Sequence, residues 1–225
     1  AVSRRRHGPE PLLLARRSRS LGERLLHAPF LLVILAFWVF YCLLVWRGFA
    51  WENDRIYCSQ ATFGDMSMHL SFITSLAQQG NFPPEYSLLP GHLLSYPFLG
   101  DSISSSLLVL GAPLRMAYCL PMWMAGAQVF TGFWLFARRM GRRAGAAGLS
   151  FLLFFGNGGL GVLYFLDAGG LDRIMTSFYQ TPTNLYDQNI RWVNIIVDMM
   201  LPQRATLFGW AVLFGILCLV LDMNS

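Results

Sequence analysis

The chain of 225 residues has no lysine; its seventeen basic residues other than histidine are all arginine. Charged residues of either sign make up only 13%, about half the share found in soluble domains. That scarcity excludes an ordinary solvated globular surface. The four cysteines, Cys42, Cys58, Cys119 and Cys218, form no CxxC pair and no Cys/His cluster. Neither a structural zinc site nor a disulfide framework is thereby supported. No GxGxxG opens a helix, and neither a P-loop nor an HExxH stands anywhere. The run Gly156-Asn157-Gly158-Gly159-Leu160-Gly161 is glycine-rich, but it lies within an apolar stretch and reads as helix loosening or close packing rather than a phosphate cradle. What is abundant is apolar: 55% hydrophobic residues, 15% aromatic, and a mean hydropathy of +0.45. Those values describe an integral membrane protein.

The arginines are not scattered. Seven lie in Ala1–Ala28, and four more in Arg138-Arg139-Met140-Gly141-Arg142-Arg143. Each cluster adjoins a long apolar run, and the positive-inside rule assigns both to the cytoplasmic side. Together they account for eleven of the seventeen arginines, so the net charge of +5 reflects topology and calls for no nucleic acid. Pro29–Trp46 is eighteen residues without charge, about 27 Å as a helix, and reads as an uncleaved first span running outward. Ser102–Ala137 begins outside and must end inside at Arg138. A short interfacial helix Ser102–Leu110 followed by one span at 117–137 satisfies this. Spans at 144–166 and 205–221 complete an expected all-α bundle of about four crossings, with residues 1–28 as a cytoplasmic segment and 29–225 as the transmembrane domain. Outer loops at 47–116 and 167–204 then hold nine of the twelve acidic residues. The start at Ala1 and the stop soon after an apolar run predict a piece of a longer chain.

The first outer loop carries Gly64-Asp65-Met66-Ser67-Met68-His69. Met66, Leu70, Ile73 and Ala77 recur at helical spacing, which predicts an amphipathic helix over 65–79, stopped by Gly80. Asp65 and His69, four apart, would share one face. A carboxylate beside an imidazole suits general base work; the alternative is that Asp65 caps the helix and His69 is an ordinary interfacial residue. His92 and Tyr96 are likewise four apart and are candidate substrate contacts; a turn and an interfacial anchor is the competing reading. Asp101 is either a second catalytic carboxylate or the start of the next helix. In Leu201-Pro202-Gln203-Arg204, an arginine at the outer mouth of the last helix can clamp a phosphate through two parallel hydrogen bonds, with Gln203 adding an amide donor. Snorkelling is the competing reading. Arg191 is a weaker candidate of the same kind.

In order, these residues resemble the GT-C superfamily of membrane glycosyltransferases, which includes protein O-mannosyltransferases and lipid A core sugar transferases. The resemblance rests on an outward first helix, a long loop with an early acidic residue (Asp65), an interfacial helix, and a second span closing on an arginine-rich turn. Within it stand a D-x-x-x-H start (Asp65, His69), an F-P-P-E turn (Phe82–Glu85), a Y-P-x-x-x-D segment (Tyr96, Pro97, Asp101) and a later P-Q-R (Pro202–Arg204). The resemblance implies a donor sugar on a polyprenyl phosphate or diphosphate, a glycan, lipid or protein acceptor, and Asp65 as base. It fixes no cofactor and admits a divalent metal. It also implies a bacterial plasma membrane and further helices beyond the four. On this reading Asp65, His69 and Asp101 are catalytic, while Arg204, Gln203, Arg191, His92 and Tyr96 bind substrate. A transporter would need ionisable groups inside its spans, and the expected spans have none at their centres. A non-catalytic scaffold would tolerate changes at Asp65, His69 and Arg204 together.

Overall fold

The computed structural model describes residues 21–59, 61–79, 82–141, 143–159 and 194–223. It also describes the pairs 184–185 and 190–191 and the positions 163, 166–167 and 172. Three helices are long and apolar enough to cross a membrane: α1 (Leu21–Arg47), through its part from Pro29, α4 (Leu114–Gly141) and α6 (Arg204–Met223). Between α1 and α4 come a hairpin of β1 (Phe49–Glu52) and β2 (Arg55–Cys58), then α2 (Phe63–Gln78) and α3 (Leu99–Val109). After α4 come α5 (Ala144–Phe155), the paired dipeptides β3 (Asn184–Leu185) and β4 (Ile190–Arg191), and a π-helical turn, Ile196–Met200.

Side-chain pairs fix how the long helices run. Phe30 stacks on Trp134 at one end of α1, and Arg115 donates to the Trp46 carbonyl at the other, so α1 and α4 are antiparallel. Between these, Trp38 donates its indole N–H to the Trp123 carbonyl and Trp123 donates to that of Cys42. Inside a bilayer apolar burial does not drive helices together, and such packing and bonds do. Tyr118 lies against Arg204, Phe133 against Phe214, and Arg139 pairs with Asp222, so α4 and α6 are parallel. Close approach is paid in small residues: a Cβ on Gly126 would stand 2.5 Å from the Tyr41 ring. An aromatic cluster of Phe130, Phe133, Phe151 and Phe155 fills the centre.

The expected loop after the first span holds more structure than its polarity suggested. A two-residue turn with Asn53 and Asp54 at positive φ closes the hairpin, a conformation these residue types tolerate. α2 begins at Phe63, two residues before the expected start. Thr62 holds the N-cap position, where it makes no side-chain capping bond, and Asp65 sits in the first turn; the cap reading of Asp65 is therefore corrected. Residues 82–98 form an irregular strap along α2, tied by Ser71 to Ser87 and by Gln79 to the Glu85 N–H. α4 begins at Leu114, three residues before the expected span, because Gly111 at φ +91° ends α3 and frees the chain to turn.

The third expected crossing, 144–166, is not one helix. α5 stops at Phe155 after twelve residues, about 18 Å, with Gly156 as its C-cap. Its end packs on Phe130 at 4.7 Å and Phe133 at 5.2 Å. Its last carbonyls are met from elsewhere: Asn194 Nδ2 donates to the carbonyls of Phe155 and Asn157, and the Ile195 N–H donates to Asn157 Oδ1. The chain then rises through the π-helical turn, where the Tyr41 hydroxyl donates to the Met200 carbonyl, and reaches Arg204 beside Tyr118.

Candidate functional site

At the end of the bundle opposite Arg138 and Arg139, three separate segments meet. α2 supplies Asp65 and His69, placed on one face by their spacing of four. α3 supplies Asp101 from its first turn, on a buried stripe with Gly100, Ser104 and Ser105; its exposed positions include Leu99, Ile103 and Val109. Pro202, Gln203 and Arg204 arrive as the chain turns into α6.

Asp101 is the hub. Its Oδ2 lies 2.9 Å from His69 Nδ1, and its Oδ1 lies 2.8 Å from Arg204 Nε. The first is a hydrogen bond. The second is an ion pair whose N–H points past the oxygen, so neither atom gains a hydrogen bond from it. Arg204 is otherwise spent: Nη2 donates to the Gly100 carbonyl at 3.0 Å and to Ser104 Oγ at 2.6 Å, and Nη1 to the Tyr118 carbonyl at 3.3 Å. Its guanidinium also lies over the Tyr118 ring. His69, Asp101 and Arg204 are all at most 1% exposed. A carboxylate facing a guanidinium accepts, so His69 Nδ1 is the donor in its bond; Nε2 meets no partner among the described residues.

Asp65 differs. It is half-buried, and Gln203 Nε2 donates to its Oδ2 at 3.3 Å. Asp65 and His69 therefore turn to different partners, Gln203 and Asp101, which are linked through adjacent Arg204. Tyr96 lays its ring 5.9 Å from that of His69 and 5.4 Å from that of Phe72. Its phenol is pushed above its ordinary range, first by desolvation and then by the charges of Asp101 and Asp65. A half-buried tyrosine thus stands within electrostatic reach of both carboxylates.

The structure brings together Asp65, His69, Tyr96, Asp101, Gln203 and Arg204. It does not bring in His92, whose side chain is exposed on the strap and whose carbonyl accepts from the Tyr86 N–H. Arg191 lies in β4 opposite Asn184, with its side chain outside the described residues. Arg204 does not stand at an open mouth as expected; its donors face inward because three acceptors and a carboxylate converge on it. Among the described residues no group of three or more His, Cys, Asp or Glu is placed to hold a metal ion. Ser104 and the Tyr118 carbonyl belong to the site and were not singled out from sequence. Ser104 had a signal, since Gly100-x-x-x-Ser104 puts two small residues on one helix face; a backbone carbonyl has none.

Comparison with known proteins yields no matching family model, no matching curated protein and no matching solved structure.

Proposed function

We propose that this chain belongs to an integral membrane glycosyltransferase. It would move a sugar from a polyprenyl-phosphate-linked donor to an acceptor at the face opposite the arginine clusters. On this proposal the N-terminus is cytoplasmic and the membrane is a bacterial plasma membrane. One observation carries the reading: residues 65, 69, 101, 203 and 204, far apart in sequence, gather at one end of the bundle, and among them Asp65 is the carboxylate left partly open.

Asp65 takes the proton from an acceptor hydroxyl. The hydroxyl oxygen bonds to the anomeric carbon as the bond from that carbon to the phosphate oxygen breaks, and the lipid phosphate leaves with the electron pair. Gln203 orients the base. His69, Asp101 and Arg204 act as positioning residues, since none is open to a substrate. Arg204 is therefore not offered as the phosphate clamp: its donors are committed within the protein.

The test uses the full-length protein in membranes, given polyprenyl-phosphate-linked hexose and pentose donors. Asp65→Asn should lower transfer by about 10²-fold or more, the usual share of a general base, with insertion unchanged. Wild-type transfer by Asp65→Asn would remove the assignment. The burial of His69, Asp101 and Arg204 also fits a non-catalytic scaffold in which they only tie helices. Absence of transfer from every donor by the wild-type protein would favour that second reading.

A further inference from the structure

The end of α5 lies deep in the bundle. Phe155 packs on Phe130, which stands about 24 Å along α4 from Leu114 and about 16 Å from Gly141. Taking Arg138 as one edge of the hydrocarbon, Phe130 is about 12 Å inside it, close to the middle of a layer about 30 Å thick. Just beyond Phe155 the chain leaves helical geometry, and Gly156, Asn157, Gly158 and Gly159 are all exposed. Asn194, half-buried, joins the two halves of the crossing there, and Asp198 Oδ2 accepts from the Asn194 N–H at 2.6 Å. Non-helical backbone at this depth is tolerated only when it is buried in protein or faces water. These residues are not buried in protein. Earlier in α5 the exposed side chains include Leu149, Leu152 and Leu153, which suit lipid, and Ser150 among them turns its hydroxyl back to the Ala146 carbonyl.

We propose that Asn157–Gly159 and Asn194 form the floor of a water-filled recess. It reaches the middle of the bilayer from the side opposite the arginine clusters. The crossing is split into α5 and the π-helical turn so that this floor can be wet, and Asn194 supplies the bonds that the break would otherwise leave unmade. The recess rests on membrane insertion alone and stands or falls separately from glycosyl transfer.

A membrane-impermeant maleimide tests it, because a thiol reacts as thiolate and so needs water. The parent is Cys58→Ser, which removes the exposed native cysteine and leaves the half-buried Cys42 and the buried Cys119 and Cys218. Asn157→Cys, Gly159→Cys and Leu153→Cys are each placed in this parent, expressed in full-length protein and labelled in intact cells and in inverted membranes. The expected result is labelling at 157 or 159 within about tenfold of the rate of native Cys58, with Leu153→Cys at the parent background. The labelling should come from the side that reaches Cys58. Gly159→Cys keeps the test sound if Asn157→Cys fails to fold, since Asn157→Cys loses the Oδ1 that accepts from the Ile195 N–H, whereas a glycine has no side-chain bond to lose. Labelling at 157 and 159 no faster than at 153, or only from the arginine-rich side, overturns the recess.

Discussion

At the scale of single residues the site divides by exposure. His69, Asp101 and Arg204 are sealed, whereas Asp65 is partly open. A buried ion pair adds little net stability over apolar packing, but removing one partner strands the other charge. Arg204→Met is accordingly expected to cost about 3–5 kcal/mol by leaving Asp101 uncompensated, and Arg204→Lys should not restore it, because a point charge cannot serve Gly100, Ser104 and Tyr118 at once. Asp65→Asn, by contrast, keeps a partner for Gln203 and should unfold near the wild type. Denaturant titration of the purified protein in mixed micelles reads all three. A loss for Asp65→Asn equal to that for Arg204→Met would remove the division between positioning and reacting groups.

Among the elements, the contact of α1 with α4 depends on the absence of a side chain. Gly126 lets the Tyr41 ring lie on the α4 backbone, and Tyr41 in turn donates to Met200 ahead of α6. Gly126→Leu should therefore force α1 away and destabilise by about 1–3 kcal/mol, the range for overpacking a filled interior. Gly145→Leu, where a Cβ meets nothing within 4 Å, serves as the control and should leave the unfolding midpoint unchanged. Equal effects at the two positions would mean that the helices are not seated as described. α3 shows a second rule. One side is Gly100, Asp101, Ser104 and Ser105, and the other carries Leu99, Ile103 and Val109, so a helix of eleven residues holds a polar site inward while presenting apolar side chains outward.

For the whole molecule, the parallel run of α4 and α6 puts Arg139 and Asp222 at one end and Tyr118 and Arg204 at the other. The antiparallel α1 then puts the hairpin turn Asn53–Asp54 at the end opposite Asp222. A reporter inserted at Asn53–Asp54 and one fused after Asp222 should accordingly respond from opposite sides of the membrane, with the Asp222 reporter active in the cytoplasm. Both reporting from one side would contradict the arrangement. The exposed Arg139–Asp222 pair is a marker of that arrangement more than its cause, since the aromatic contacts of Phe133 and Phe136 with Phe214 lie between the same helices.

The sequence by itself determined what depends on local composition. Eighteen uncharged residues after an arginine-rich start read as a span, and α1 from Pro29 is long and apolar enough to be one. The periodicity at Met66, Leu70 and Ile73 makes α2, whose core side these residues form. Asp65, Asp101 and Arg204 were legible because charge is rare in this chain and each stands beside an apolar run. Only the tertiary structure decided who partners whom. His69 could be paired with Asp65 from spacing, yet it turns to Asp101, 32 residues on, because α3 brings a carboxylate to its Nδ1 at 2.9 Å. The third expected crossing read as continuous because hydropathy sums side chains and does not register backbone bonds. Asn194 and Asn157 reveal the break, and their pairing across 37 residues exists only once α5 and the approach to α6 have folded against each other.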